Sequence, residues 1–182
     1  MKKQKNSVFI ATSIDGYIAD VNGGIDWLDT IPEINDIDSG YEAFTSQIDA
    51  LVMGRVTYET VLGFDIDWPY KKPVFVLSNT ITSISDELRG KVHIVKGSLN
   101  EILEQIHQQG YHRLYIDGGR LIQSFLKEDL IDEMVITIIP VLLGGGYSLF
   151  GEQSQMLTFK CIVSKHYLNS IVQNHFVRSR SE

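Results

Sequence analysis

The chain has one cysteine, Cys161, in 182 residues. That excludes an intrachain disulfide and any zinc site built on cysteine pairs. Cys161 alternates with Phe159 and Val163, so its thiol is expected in the core, and a lone reduced cysteine suits a cytoplasmic protein. Positive charge is also scarce: 16 lysines and arginines against 23 acids leave a net charge of −7. This balance argues against a broad nucleic-acid or membrane-binding face, while leaving room for a local basic pocket around an anion. No secretory signal is expected, because only the short apolar run Val8–Ala11 follows the basic start. Residues 134–150 carry no charge, but Pro140 and Gly144–Gly146 break the run, and its β-branched residues favour a buried strand over a membrane span. Two phosphate-binding fingerprints, G-x-G-x-x-G and G-x-x-x-x-G-K-[ST], are missing. So are H-E-x-x-H and the serine elbow G-x-S-x-G, and no metal site is expected. His107, His112 and His175 are expected at the surface or in hydrogen bonds.

What remains is ordinary globular composition, 43% hydrophobic and 21% charged, with no repeat or linker, and it suits a single domain over 1–182. Short apolar runs predict strands at Val8–Thr12, Ala50–Met53, Val74–Ser78, Val92–Val95, Arg113–Asp117 and Glu133–Ile139, as in central strands covered on both faces. An antiparallel hairpin is expected from Leu157–Tyr167 and Ile171–Arg178, turning at Asn169-Ser170. Between the strands, Ser98 with Glu101 forms a capping box ahead of Leu99, Ile102, Leu103 and Ile106. Ser39 with Glu42 suggests a second box, opening a helix through Gln47. A third helix begins near Arg55 and ends before Gly63. A fourth runs from about Arg120 to Lys127, with Leu121, Ile122, Phe125 and Leu126 inward. This alternation predicts an α/β fold with a mixed, mainly parallel sheet between helical layers.

Ligands of such sheets bind beyond the carboxyl ends of the strands. Gly54, Ser78 and Gly118 each fall at such an end, so three loops are expected along one edge. Gly118-Gly119 lets backbone approach a ligand closely, and the helix behind it points free N–H groups and a positive dipole end at the same spot. Gly54-Arg55 repeats the arrangement and adds a guanidinium to clamp an anion, with Thr57 in the first turn. Together these loops would hold the phosphates of a nucleotide. Farther upstream, Asp15-Gly16 and Asn22–Gly24 bound a mobile loop that leads to Asp26 and Trp27, positioned to close over a substrate.

In order and spacing, these segments resemble the dihydrofolate reductase superfamily over about residues 7–178, and most closely the reductase domain of riboflavin-biosynthesis proteins and its stand-alone relatives. "SIDGYIA" is similar to the family's entry loop, "VMGRVTYE" resembles the M-G-R-x-T-[WY]-E signature, and residues 117–146 resemble the riboflavin-reductase run from E-G-G to P-x-L-x-G-G. The resemblance implies a dihydrofolate reductase-like sheet of about eight strands. It implies NADPH as cofactor, held by Ala11, Ile18, Gly54, Arg55, Thr57, Leu77, Ser78, Gly118, Gly119, Arg120 and Leu121. Thr137, with Trp27, would face the substrate. The activity implied is hydride transfer to a carbonyl or imine carbon of a small pyrimidine- or pterin-like compound, as in 5-amino-6-(5-phosphoribosylamino)uracil reductases, and a homodimer is expected. Asp15, Asp26 and Glu42 are the candidate proton donors. Dihydrofolate reductases carry an acid four residues before the first helix's Phe; here that position is Gly40, which argues against folate. Asp117 stands for the riboflavin reductases' glutamate. A phosphorylated substrate would need further basic groups, with Lys71-Lys72 the best candidates. A true dihydrofolate reductase and a non-catalytic NADPH-binding module are the alternatives.

Overall fold

A computed structural model describes residues 3–31, 33 and 37–180. Eight strands form one sheet: β1 (Lys5–Ser13), β3 (Ala50–Gly54), β4 (Val74–Leu77), β5 (Val92–Val95), β6 (Arg113–Asp117), β7 (Glu133–Ile139), β9 (Phe159–Tyr167) and β10 (Ile171–Arg178), in the order β5-β4-β3-β6-β1-β7-β10-β9. The six strands from β5 to β7 run parallel, and β10 and β9 close the sheet antiparallel. A separate two-stranded ribbon pairs β2 (Tyr17–Ala19) with β8 (Tyr147–Ser148).

Strand alternation sends side chains to two layers. On one face Val8, Val52, Phe75, Leu114 and Ile116 pack under α3 (Leu99–Gln108) and α4 (Gly119–Lys127), which contribute Ile102, Ile106, Ile122 and Phe125. On the other, Leu51, Met53, Val76 and Tyr115 pack against Tyr58 of α2 (Arg55–Leu62) and Phe44 of α1 (Tyr41–Ser46). The mixed sheet between helical layers agrees with the expected architecture.

Several local expectations fail for identifiable reasons. Cys161 is exposed rather than buried, because β9 is the edge strand and its middle residues have no layer over them; alternation assigns a face but not a cover. The Ser39 capping box does not form: Gly40, at φ +79°, is the N-cap of α1, and its N–H is taken by Asp38 Oδ1 at 2.9 Å. β5 lies on the other edge of the sheet rather than at its centre. The loop after Asp15-Gly16 is not free but contributes β2 to the ribbon. The expected C-terminal hairpin is present; its turn puts Leu168 and Asn169 in the left-handed region. His175 bonds Glu133 Oε2 at 2.9 Å, whereas His107 and His112 stack with one buried ring nitrogen each unpartnered.

Phe125 is fully buried at the centre of the α4 contact. Phe125→Ala is expected to lower the unfolding free energy by about 3–5 kcal/mol. A denaturant titration checks this; a loss below about 1 kcal/mol would mean that α4 does not carry the core of this face.

Candidate active site

Gly54 ends β3 and opens α2; Gly118 follows β6 and opens α4. These two strands are neighbours, with Met53 opposite Asp117, so the two helices begin side by side. Neither helix has a side-chain cap or an acid in its first turn. The contrast is α3, whose box is closed by Glu101 Oε2 on Ser98 N at 2.8 Å and Ser98 Oγ on Glu101 N at 3.4 Å. Free N–H groups at paired N-termini can serve as an anion cradle. Its walls touch: a Cβ on Gly118, held at φ +93°, would collide with Thr57 Oγ1, and one on Gly119 would lie 2.8 Å from Ile18 Cδ1 and 3.2 Å from Ser148 O. Ile18 of the ribbon thus covers the second glycine, and Gln123 of α4 anchors the ribbon by donating to Ser148 O at 2.8 Å.

The remaining residues around this edge have mixed standing. Arg55 Nη1 bonds both oxygens of Glu59, at 2.9 and 2.7 Å, one helical turn along. Both side chains are largely exposed, and such a pair is worth little, so an arriving phosphate competes for the guanidinium at small cost. Leu77 lies opposite Gly54 in the sheet. Ser78 is buried, and its Oγ accepts from Thr80 N at 3.2 Å and Ile81 N at 3.0 Å, so the hydroxyl shapes its own turn. Arg120 is exposed, and Leu121 is buried as the core anchor of α4's first turn. Ala11 lies opposite Thr137, and buried Trp27 packs on Ala11, Ile139 and Ile171.

The three expected acids do not converge. Asp15 accepts from Ser13 Oγ at 2.6 Å, Gly144 N at 2.7 Å and Leu143 N at 3.1 Å. The Ser13 bond first, and then the two backbone N–H groups, hold its carboxyl below the usual range, which opposes proton donation. Asp15 is a clasp that fixes the ribbon's entry to the glycine loop. Asp26 and Glu42 are exposed and, among the described residues, make no side-chain hydrogen bond or ion pair.

A fourth carboxylate, Asp117, closes β6 immediately before Gly118-Gly119. Burial pushes it up to about 6, against the opposing N–H of Gly118 at 2.8 Å. Tyr41, Tyr70 and Tyr115 are close enough for its charge to raise their own pKa values, after burial as the larger cause. Tyr115 Oη donates to Phe9 O at 2.8 Å, and Tyr41 meets Phe9 edge-on at 5.4 Å. Among the described residues no cationic side chain bonds Asp117. The signal was available: an acid ending an apolar buried strand, immediately before Gly-Gly.

A groove of about 830 Å³ opens beside α4, on the sheet face that α3 and α4 cover, lined by Leu126, Met134, Ile136, Phe159 and Phe176 and reaching Asp15 of the clasp. Among the described residues no three His, Cys, Asp or Glu side chains group as a metal site, and no helix is long and apolar enough to cross a membrane.

Residues 6–173 match the model of the RibD C-terminal domain. The chain belongs to that family. It is 35% identical to YwjB of Bacillus subtilis, whose function is uncharacterized, across 97% of this chain and 99% of that protein. A candidate riboflavin-biosynthesis protein of Shewanella sp. PV-4 superposes with a TM-score of 0.92 at 54% identity, covering 97% of this chain and 99% of that one. Dihydrofolate reductase of Enterococcus faecalis, solved with NADP(H), shares the fold, with a TM-score of 0.66 at 18% identity over 97% of each chain. The family and the dihydrofolate reductase-like fold inferred from the motifs are therefore correct.

The raised Asp117 pKa carries a sign for stability. Relative to the ordinary value of 3.8, the folded protein holds the extra proton up to about pH 6. The stability this gives is full below the unfolded value and is lost as pH rises through about 6. Asp117→Asn is thus expected to raise Tm near pH 7.5 but not near about pH 4. Thermal melts across this range check it; a Tm difference independent of pH would contradict the assignment.

Proposed function

We propose that the protein is an NADPH-dependent reductase acting on a carbonyl or imine carbon of a small pyrimidine- or pterin-like substrate. The observation that carries this reading is the pair of uncapped helix N-termini, α2 and α4, meeting at Thr57 and Gly118. The cradle would suit NADPH: the free N–H groups of both helices would hold its pyrophosphate, and Arg55, released from Glu59, would meet the adenosine phosphate. Leu77 and the Ser78 turn would border the adenosine, Arg120 would flank the second phosphate loop, and Leu121 holds that loop's helix in the core. The backbone of Ala11 would meet the nicotinamide amide, and Ile18 would cover the ring.

When bound, NADPH supplies a hydride. The protein's part is to align the acceptor carbon within roughly 3–3.5 Å of it and to keep water out. Asp117 gives its proton to the oxygen or nitrogen of the reduced bond, and its raised pKa leaves it protonated to higher pH than an ordinary aspartate. Asp15 contributes by clasping the ribbon that carries Ile18, not by proton transfer. Gly40, where folate enzymes carry their acid, weighs against dihydrofolate. A substrate like 5-amino-6-(5-phosphoribosylamino)uracil fits the family, with exposed Lys71 and half-buried Lys72 nearest in sequence to the Tyr70 wall.

A reductase of this kind works in the cytoplasm. We further propose a homodimer, formed through the groove beside α4 and the exposed apolar Ile162 of β9. Light scattering is expected to give twice the chain mass, and a monomer at micromolar concentration would rule this out.

Calorimetry with NADPH and NADH tests the main reading. NADPH is expected to bind at least about tenfold tighter than NADH, a preference that Arg55→Ala abolishes. Gly118→Ala is expected to lower NADPH affinity by at least about tenfold, since its Cβ and φ both disturb the cradle. Absence of NADPH binding at millimolar concentration would refute the proposal.

A further inference from the structure

Thr137 and Gln173 are neighbours across β7 and β10, buried at 8% and 6% exposure. Gln173 Nε2 donates to Thr137 Oγ1 at 3.0 Å and to Ser39 O at 3.0 Å. A carbonyl oxygen only accepts, so the amide's NH2 group must face Ser39, and the same NH2 faces Thr137. The opposite end is consistent: Gln173 Oε1 takes a long bond of 3.4 Å from the Tyr167 hydroxyl. Thr137 is therefore an acceptor toward Gln173, and its single hydroxyl proton is left over. Among the described residues nothing accepts it.

A second donor in the same patch is also unpaired. The Trp27 indole Nε1 is buried without a partner. Trp27 packs on Ala11 and Ile139, which border Thr137 across the strand pair and two residues along the same face. Tyr167, the far partner of Gln173, belongs to the same cluster. Two buried donors without acceptors are costly unless something supplies acceptors. The site's other features limit what that is: among the described residues no carboxylate hydrogen-bonds Thr137, Gln173 or Trp27, and Gly40 has no side chain to offer one.

We propose that Gln173 fixes Thr137 as a hydrogen-bond donor to the substrate, so that with Trp27 this corner reads an acceptor edge, a ring carbonyl, and rejects an amino-substituted edge. The assignment rests on the reductase reading for the location of the substrate, and it adds the hydrogen-bond polarity that selects the substrate. Gln173 is a positioning residue, acting through Thr137. A site built to pair with a carbonyl leaves an NH2 group facing its own donors, and discrimination of that kind is strong.

The probes are two rings of one size, 2,4-dioxopteridine and 2,4-diaminopteridine, titrated by calorimetry into the protein with and without NADP+. The dioxo ring is expected to bind at least about tenfold tighter. Thr137→Val is expected to erase that preference and Thr137→Ser to keep it. Gln173→Leu is expected to reduce the preference while leaving NADP+ affinity unchanged, whereas a purely structural role would weaken both rings alike. Equal affinity for the two rings, binding of neither, or a preference that survives Thr137→Val overturns the proposal. NADP+ binding without a ring preference removes this inference alone; a ring preference without NADP+ binding removes the reductase reading alone.

Discussion

Two neighbouring parallel strands, β3 and β6, both hand directly into helices through glycine, and the rest of the site depends on that coincidence. With Met53 opposite Asp117, the helices start in register, and Gly118 must stay bare because Thr57 occupies the space a Cβ would need. Backbone N–H groups left free at two adjoining N-termini are available to water or to an anion. A capping box closes α3, whereas α2 and α4 have no side-chain cap and no acid in the first turn, which leaves their N-termini open to an anion.

Around the cradle, two carboxylates are driven in opposite directions by their surroundings. Asp15 receives three hydrogen bonds and is held ionised, fixing the ribbon that carries Ile18. Asp117 receives one backbone N–H and is half-buried at the end of β6, and desolvation there raises its pKa, so its proton is retained to higher pH. Surroundings thus push two aspartates apart: one is held ionised as a structural clasp, and the other is available for the proton transfer proposed above. A third polar element, Gln173 with Thr137, uses neutral hydrogen bonds to set which way a hydroxyl points.

Much of this was legible in the sequence. Apolar runs located the parallel strands, the Ser98–Glu101 box located α3, and Gly54 and Gly118 marked where β3 and β6 hand over to helices. These signals are local, since each depends on residues a few positions apart. What failed was long-range. Nothing near Asp15 announces that Leu143 and Gly144 will consume its carboxylate, and nothing near Cys161 says that β9 lies at an edge. Asp117 was overlooked because its environment comes from Tyr41 and Tyr70, far away in the chain. Gln173 gave no signal at all: its meaning depends on a threonine one strand away and a carbonyl in the loop before α1.

The most direct test of the account is a crystal structure of the protein grown with NADPH. The pyrophosphate is expected between the N-termini of α2 and α4, with Arg55 turned from Glu59 to the adenosine phosphate and the nicotinamide between Ala11 and Asp117. NADPH bound instead in the groove lined by Met134, Ile136 and Phe176, away from both helix N-termini, would contradict it.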